Sequence, residues 1–243
     1  MTPHIAAGTV QSIMPRTARV TPGGMVFHVL NRGVGRQKLF TKPADYEAFE
    51  EIIAVTLEKR PIRICAYCLM PSHWHLVLWP EQDDDLALFL QRLTVTHVTR
   101  WQKNRKRVGE GHVYQGRFKS FPVETDDHFY QVVRYVERNA LRAGLCRKAE
   151  DWRWGSAWRR IHGTAEERQL LSAWPLPRPR QWAEHVNRPQ TNAEVKAIRH
   201  CVVRGQPLGS APWIAETALE LGLQSTLRPR GRPPKPDSQS GAG

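Results

Sequence analysis

The alternation of two side-chain periodicities along residues 24–124 most strongly limits what this chain can fold into. Apolar residues with a two-residue period are typical of strands, and a period near 3.6 residues is typical of helices. In chain order the pattern predicts a strand at 24–33, a helix at 42–60, strands at 62–70 and 73–79, a helix at 81–101 and a strand at 114–124. This order predicts an α+β fold, the ferredoxin-like split βαββαβ unit, in which an antiparallel sheet carries its helices on one face.

The rest of the chain divides into segments around this unit. We expect a flexible N-terminus at 1–22, a folded domain at 23–160, a mostly helical extension at 161–227 and a flexible basic tail at 228–243. Within the extension, helices are predicted at 192–203 and 211–221. Pro212 in the first turn and Gly222 after the last turn frame the second of these helices.

Composition indicates the compartment. No stretch approaches the roughly 20 apolar residues of a membrane-spanning helix, and the N-terminal segment lacks the pattern of a signal peptide. Four cysteines in 243 residues are too few for a disulfide framework. We therefore expect a cytoplasmic protein with no membrane partner. Cys65 and Cys68 form a C-x-x-C pair inside a predicted strand, where alternation directs the thiols to opposite faces, so we interpret them as small core residues.

Positive charge is concentrated in two runs. The chain carries 36 Lys and Arg against 23 Asp and Glu, a net charge of +13. Residues 99–107 hold five cations and residues 228–236 hold four, with no acid in either run. Such runs attract a phosphate backbone, which releases counterions on binding. For one run alone, a solvated face or an unfolded tail is an equal alternative. Two runs and the net charge together favour a nucleic-acid partner.

Two histidines stand two positions apart in the third predicted strand. Because the side-chain period of a strand is two, His73 and His75 share a face with their alpha-carbons ~7 Å apart, while Trp74 faces the other way. Two imidazoles at this separation can bind one metal ion. The alternative is a hydrogen-bonded pair on a half-buried sheet face, so the spacing alone does not establish a metal site.

A helix predicted at 125–145, capped by Thr125 and ended by Gly144, supplies further candidate ligands. Its apolar stripe consists of Phe129, Val132, Val133 and Val136. Tyr135 and Asn139 lie one turn apart at the edge of that stripe. If this helix lies beside the histidine-bearing strand, Asn139 can offer a third ligand oxygen while Tyr135 holds its hydroxyl near the ion. Taken alone, Tyr135 is more typical of the rim of a core.

Several stretches resemble the HUH-type single-strand transposases, and among them the REP-associated tyrosine transposases. The stretches are PSHWHLVLWP, GHVYQGRFKS, RYVERNALRAGL and DWRWGSAW, followed by VRGQPLGS, WIAETALELGL and STLRPRGRPPK in the extension. The resemblance implies a ferredoxin-like nuclease domain with a metal ion held by His73, His75 and Asn139. It also implies Tyr135 as the nucleophile of a 5′-phosphotyrosine intermediate, and hairpins of repetitive extragenic palindromes (REP) as the target. The expected cofactor is divalent Mg²⁺ or Mn²⁺, although imidazole also suits Zn²⁺.

Two positions depart from the pattern of that family. Ala140 replaces the usual proline after the asparagine, which predicts that the helix continues for another turn. Tyr114 stands where many members carry tryptophan, which changes packing more than chemistry. Trp101 and Tyr114 are candidates for stacking on unpaired bases, and core packing is the favoured alternative for both.

Basic residues are predicted to hold the DNA. The phosphate-binding candidates are Arg100, Lys103, Arg105, Lys106, Arg107, Arg117 and Lys119. The tail stretch RPRGRPPKP resembles an AT-hook, an extended arginine arm that fits the minor groove of A·T-rich duplex. The hook residues are Arg230, Gly231, Arg232 and Pro233. The alternative for this segment is a solubilising tail.

The sequence thus predicts a metal-dependent endonuclease and strand transferase that acts on single-stranded or hairpin DNA, in the bacterial cytoplasm and in association with the nucleoid. One alternative is a DNA-binding regulator that keeps the fold without catalysis. Another is an RNA-binding ferredoxin-like domain, although its signature aromatics are absent from the strands. A monomer and a homodimer both remain open, since a dimer could donate the tyrosine helix across its interface.

Overall fold

A computed structural model describes residues 20–229 of the chain. The split unit is formed in the predicted order by β1 (Val26–Arg32), α1 (Pro43–Lys59), β2 (Arg63–Met70), β3 (His73–Trp79), α2 (Asp85–Asn104) and β4 (Lys119–Val123). No helix within residues 20–229 is both long and apolar enough to cross a membrane. Nearly all of the predicted N-terminal segment lies outside the described residues, as does the tail from residue 230 with Arg230, Gly231, Arg232 and Pro233.

The four strands form one antiparallel sheet in the order β2-β3-β1-β4. The predicted fold class is therefore confirmed, and β1 and β3 are its two central strands. The helices α1 and α2 pack together on one face, where Phe49 and Leu90 are fully buried in the first hydrophobic core. Apolar side chains of β1 and β3, such as Val29 and Leu76, fill the same core.

Further helices follow the split unit, and several of them cover the opposite face of the sheet. They are α3 (Asp127–Glu137), α4 (Asn139–Arg142), α5 (Ser156–His162), α6 (Ala165–Arg168), α7 (Trp182–Asn187), α8 (Asn192–Arg204), α9 (Ala211–Glu220) and α10 (Gln224–Leu227). The predicted stripe of α3 is buried in a second core, with Phe129 and Val133 fully covered. Trp182 of α7 and Ile198 of α8 join that core. The helical extension thus packs against α3. It also reaches the sheet directly, since the backbone N–H of Leu208 donates to the carbonyl oxygen of Pro122 in β4 at 3.0 Å.

An extra residue in β2 interrupts the alternation of side chains. The register of β2 against β3 shifts between Ile64 and Ala66, which defines a β-bulge. As a result, Cys65 and Cys68 both lie in the second core as buried free thiols. The prediction that the thiols point to opposite faces was wrong, because the bulge restarts the alternation one position later. Their interpretation as small core residues agrees with this burial.

The boundaries of α3 follow from its capping groups. Its N-cap is Asp126 rather than the predicted Thr125, because the Asp126 carboxylate accepts a hydrogen bond of 2.8 Å from the backbone N–H of His128. At the other end, Arg138 keeps right-handed helical angles, so α4 continues the path of α3. The chain turns away at Gly144, whose φ of +71° is the left-handed conformation that glycine adopts readily.

Two further boundaries differ from the sequence prediction. The helix α2 continues to Asn104, three residues beyond its predicted end. The strand β4 begins only at Lys119, because the predicted start of the strand turns into the first core. There the Tyr114 hydroxyl accepts a hydrogen bond of 2.9 Å from Trp74 Nε1 and lies 2.6 Å from His97 Nδ1.

Candidate functional site

The four residues predicted for metal binding and catalysis line one cavity of about 430 Å³. His73 and His75 lie on β3, Tyr135 lies on α3, and Asn139 begins α4. The other lining residues are Leu30, Arg32, Met70, Arg142, Ala143, Arg199, Val202 and Val203. The cavity therefore lies where a central strand meets the end of the α3 helix, and α8 of the extension forms one wall.

Burial keeps the two histidines of β3 neutral. Their ring centroids are 5.1 Å apart, with the ring planes at 81°. Burial lowers the pKa of His73 to about 4, and the charges of Arg32 and Arg142 act in the same direction. Burial also lowers the pKa of His75 well below its usual value of 6.5. Each ring therefore keeps one nitrogen lone pair at neutral pH, which is the form in which imidazole binds a metal ion.

The helix places a phenol and an amide beside these rings. Tyr135 is 6% exposed and Asn139 is 7% exposed. The ring of Tyr135 meets His75 edge-on, with centroids 6.0 Å apart. Because the chain stays helical through Arg138, Tyr135 and Asn139 are one turn apart on the same side. No residue between 20 and 229 hydrogen-bonds the Tyr135 hydroxyl, so this group is available to a substrate in the cavity.

Three arginines at the cavity are absent from the residues that the sequence predicts. The Arg142 guanidinium lies 4.1 Å from the centroid of the Tyr135 ring, and its Nη2 donates to Asn139 Oδ1 at 3.1 Å. The Nη1 atom of Arg142 is buried with no hydrogen-bond partner among the described residues. Arg32 of β1 and Arg199 of α8 also line the cavity. Arg142 stands in the RNALRAGL stretch, whereas nothing in the sequence connects Arg199 to β3.

A third histidine lies behind the pair. His28 of β1 is fully buried, and burial lowers its pKa to about 3. Its ring stacks on that of His75, with centroids 5.1 Å apart and planes at 9°. His28 Nε2 lies 2.9 Å from His75 Nδ1, which is hydrogen-bonding distance. The sequence does not reveal this neighbour, because β1 and β3 are distant in the chain and become adjacent only in the folded sheet.

A buried carboxylate fixes the end of α3. Glu137 lies between Tyr135 and Asn139 in the chain and is 2% exposed. One of its oxygens accepts a hydrogen bond of 2.7 Å from Ser156 Oγ of α5, and the other accepts one of 2.7 Å from Trp182 Nε1 of α7. Two elements that follow the split unit therefore hold the segment that carries the phenol and the amide.

One other group of side chains has the chemistry of metal ligands. Potential ligand atoms of Glu124, Asp126 and His128 lie within 4.8 Å of one another. Asp126 caps α3, however, and Glu124 accepts hydrogen bonds from the backbone N–H of Ser210 at 2.5 Å and from its Oγ at 3.2 Å. We therefore assign this group to the start of α3 and to its connection with α9.

The predicted DNA-binding cations lie outside the cavity, and some of them have structural partners. Arg105 is half-buried, pairs with Asp45 at 2.8 Å and lies 4.4 Å from the ring of Trp101. Trp101 itself is buried and donates through Nε1 to the carbonyl oxygen of Leu39. Because Trp101 and Tyr114 are both buried with their polar atoms bonded, core packing accounts for these two aromatics better than base stacking does.

The remaining predicted cations are exposed. Arg100 of α2 pairs with Glu51 at 3.3 Å, and Arg107 pairs with Glu110 at 2.6 Å. Ion pairs at such exposed positions contribute little to stability and can exchange for a phosphate. The cations that form no ion pair with any residue between 20 and 229 are Lys103, Lys106, Arg117 and Lys119. Arg117 precedes β4 rather than lying on it.

The donor set of the cavity fits a divalent metal ion. Two neutral imidazoles and one amide oxygen are suitable ligands, and among the described residues no carboxylate lines the cavity to fill the remaining positions. Asn139 Oδ1 accepts a hydrogen bond of 3.1 Å from Arg142 Nη2, and its second lone pair remains for an ion. The Asn139 Nδ2 atom is buried with no hydrogen-bond partner in this part of the chain, so the amide is not committed to another structural contact.

The fold and the site define a class of protein, and comparison with known families agrees. Residues 23–139 match the family described as transposase, IS200-like. This stretch contains the whole split unit together with His73, His75, Tyr135 and Asn139. The domain, just under half of the chain, is thus similar to IS200-like transposases, which supports a transposase-like DNA-processing role.

Within that class the chain is a relative of the REP-associated tyrosine transposases. A Haemophilus influenzae protein assigned to this group is 27% identical over 151 residues, which span 58% of this chain and 84% of the relative. The REP-associated tyrosine transposase of Escherichia coli is 26% identical over 136 residues, which span 54% of this chain and 74% of the relative.

Two solved structures are similar in part. One is a REP-associated tyrosine transposase bound to a REP hairpin, with 21% identity, a TM-score of 0.49, and coverage of 61% of this chain and 86% of that one. The other is a protein of Deinococcus radiodurans assigned as a transposase, with 14% identity, a TM-score of 0.35, and coverage of 51% and 94%.

Proposed function

We propose that this protein is a metal-dependent single-strand DNA endonuclease and strand transferase that cleaves and rejoins DNA at REP hairpins. The observation that carries the proposal is the single cavity in which His73, His75, Tyr135 and Asn139 meet. The family match and the names of the curated relatives support the tyrosine chemistry and the REP target. Because one chain supplies all four residues, the tyrosine acts in cis, in a monomer or in each subunit of a homodimer.

In this proposal the imidazoles of His73 and His75 and the amide oxygen of Asn139 hold Mg²⁺ or Mn²⁺. When bound, the ion neutralises the charge of a phosphodiester and fixes the phosphorus for in-line attack. Arg32, Arg142 and Arg199 line the same cavity and supply guanidinium groups for the phosphate oxygens. Their positive charges attract the anionic strand and offset the negative charge by which a phosphodiester repels a nucleophile.

The reaction assigned to Tyr135 is a transfer of the phosphoryl group. The phenolic oxygen forms a bond to phosphorus while the bond from phosphorus to the 3′-oxygen breaks. The phenol loses its proton and the 3′-oxygen gains one, which leaves a free 3′-hydroxyl and a 5′-phosphotyrosine. Because the ester is retained, the 3′-hydroxyl of another strand can reverse the step and join DNA without a nucleotide cofactor. Arg142, 4.1 Å from the ring centroid, stabilises the negative charge that develops on the phenol.

Exposed cations near α2 and β4 would hold the rest of the DNA. Lys103, Lys106, Arg117 and Lys119 are exposed and suit phosphate contacts, which position a strand without selecting its sequence. Arg105 is the weakest of the predicted contacts, because its guanidinium is engaged by Asp45.

Tyr135→Phe tests the assignment of the nucleophile. The substitution keeps the ring that packs on His75 and removes only a hydroxyl that no residue from 20 to 229 hydrogen-bonds. We expect the free energy of unfolding to change by less than about 0.5 kcal/mol. Covalent attachment to a labelled single-stranded hairpin, seen as a shifted band on a denaturing gel with Mn²⁺ or Mg²⁺ present, is abolished, while hairpin binding persists.

Tyr130→Phe is the matched control on the same helix. Tyr130 donates its hydroxyl hydrogen bond to the carbonyl oxygen of Pro177 at 2.7 Å, away from the histidines, so this variant keeps adduct formation. An adduct formed by Tyr135→Phe would refute the role of Tyr135. If the unaltered protein binds the hairpin but forms no adduct with either ion, the catalytically silent DNA-binding regulator is the better description.

A further inference from the structure

The buried histidine behind the metal-binding pair occupies a fixed position. His28 lies on β1 opposite Val77 of β3, and Leu30 lies opposite His75, so the two histidines are diagonal neighbours on the same face of paired strands. Phe121 of β4 meets the other side of the His28 ring edge-on, with centroids 5.0 Å apart. His28 is therefore packed between His75 and Phe121, and its 0% exposure keeps bulk solvent away from the ring.

The contact between these two rings determines which nitrogen of His75 is free. His75 Nδ1 faces His28 Nε2 at 2.9 Å, so Nε2 is the atom of His75 that remains for the cavity. Coordination requires a lone pair on that nitrogen, and a neutral imidazole then carries its hydrogen on Nδ1. In that tautomer Nδ1–H of His75 donates to the lone pair of His28 Nε2. His28 then carries its own hydrogen on Nδ1, an atom with no hydrogen-bond partner within residues 20–229.

We propose that His28 is a positioning residue, which fixes the ring orientation and the Nδ1–H tautomer of His75 for metal binding. This inference rests on the metal site of the proposed function and assigns a role to a residue outside it. Ligating histidines generally donate their second N–H to a carboxylate, a carbonyl or water. Here a second imidazole takes that place, and other neighbours of His75 on this face of the sheet are apolar: Cys68, its partner on β2, and Val77, two residues along β3, are both buried.

The experiment compares two amides and a phenyl ring at position 28. In His28→Gln the side-chain oxygen takes approximately the position of the imidazole Nε2 and accepts the same hydrogen bond. In His28→Asn the shorter side chain does not reach His75, and His28→Phe keeps the stacked ring without any acceptor. Binding of Mn²⁺ is measured by the electron paramagnetic resonance signal of the free ion, in the full-length protein without DNA. Thermal unfolding of each variant is measured in parallel.

We expect His28→Phe and His28→Asn to weaken Mn²⁺ binding by about 10- to 100-fold, the usual effect of losing the partner of a ligating histidine. His28→Gln retains most of the affinity. Phe121→Leu is the matched control, since it loosens the packing around His28 and leaves its hydrogen bond in place. It lowers the melting temperature with little effect on Mn²⁺ binding.

Several outcomes would overturn the inference. Unchanged Mn²⁺ affinity in folded His28→Phe shows that the contact does not position His75. If His28→Phe fails to fold, equal affinities of the Asn and Gln variants overturn the inference instead. A loss of affinity in Phe121→Leu as large as in His28→Asn also overturns it. Absence of Mn²⁺ binding by the unaltered protein overturns the metal site and this inference together, whereas the proposed tyrosine chemistry has its own readout in the adduct assay.

Discussion

Trp182→Phe tests whether the helical extension holds the tyrosine-bearing helix in position. Trp182 is 2% exposed and donates its indole N–H to the equally buried carboxylate of Glu137 at 2.7 Å. Phenylalanine keeps much of the ring but removes this donor, so one carboxylate oxygen of Glu137 is left without it. Ser156 still bonds the other oxygen. The variant therefore changes one hydrogen bond and a small part of the packing.

The expected destabilisation follows from these two effects. Leaving a buried acceptor unsatisfied costs about 1–3 kcal/mol, and more when the group is charged. Replacing an indole by a phenyl ring leaves a cavity that adds up to about 1 kcal/mol. Together they lower the free energy of unfolding by about 1–4 kcal/mol, which lowers the melting temperature by roughly 2–16 °C for a chain of this size. Tyr135 precedes Glu137 by two residues, so the looser helix end also slows adduct formation at least tenfold.

Differential scanning calorimetry and single-turnover adduct formation measure the two effects. Trp158→Phe is the control, because Trp158 is half-buried and its indole N–H bonds to no residue from 20 to 229. It should melt close to the unaltered protein and form the adduct at a similar rate. A melting temperature for Trp182→Phe within about 1 °C of the unaltered protein would show that Glu137 does not depend on the extension. Equal shifts in melting temperature for Trp182→Phe and Trp158→Phe would show the same.

Two other predictions concern the DNA. Deletion of residues 228–243 removes four cations, so binding to A·T-rich duplex should weaken and the affinity should depend less on salt concentration, while hairpin cleavage is spared. An unchanged duplex affinity in an anisotropy titration would contradict the AT-hook prediction. Arg199→Gln removes the cation that α8 contributes to the cavity. Because Arg199 is exposed and forms no ion pair in the described chain, the melting temperature should not change, whereas adduct formation should slow by about tenfold. Lys196→Gln, one turn earlier on α8 and outside the cavity, should leave the rate unchanged, and equal rates for all three proteins would exclude Arg199 from the site.

Local patterns were enough to predict the fold. The two-residue period identified β1, β2 and β3, whose two faces are both buried, and the helical period identified α1, α2 and α3. Alternation failed at Cys65, where a bulge adds a residue that no periodicity indicates. It also failed at Tyr114, whose hydroxyl is drawn into the core by Trp74 and His97 from distant parts of the chain.

The same limit applies to the site. Spacing alone could place His73 beside His75, since both lie on β3, and Tyr135 one turn from Asn139, since the helical path continues from α3 into α4. It could not bring the pairs together, because the position of α3 against β3 depends on tertiary packing. The resemblance to a family of transposases supplied that step. His28 and Arg199 belong to other elements and lie outside the stretches that carry the resemblance, so only the structure identifies them as neighbours.

The wall that α8 contributes to the cavity comes from a different part of the chain than the groups proposed to react. The groups proposed to react are encoded between residues 73 and 139, within the stretch that matches the family, whereas Arg199, Val202 and Val203 are encoded well beyond it. Substitutions at the exposed positions Arg199 and Val203 can therefore alter the charge and width of the cavity while Ile198 keeps its place in the second core. Homologous chains can therefore differ in the strands that they bind through exposed positions of α8, while the groups proposed to react stay the same.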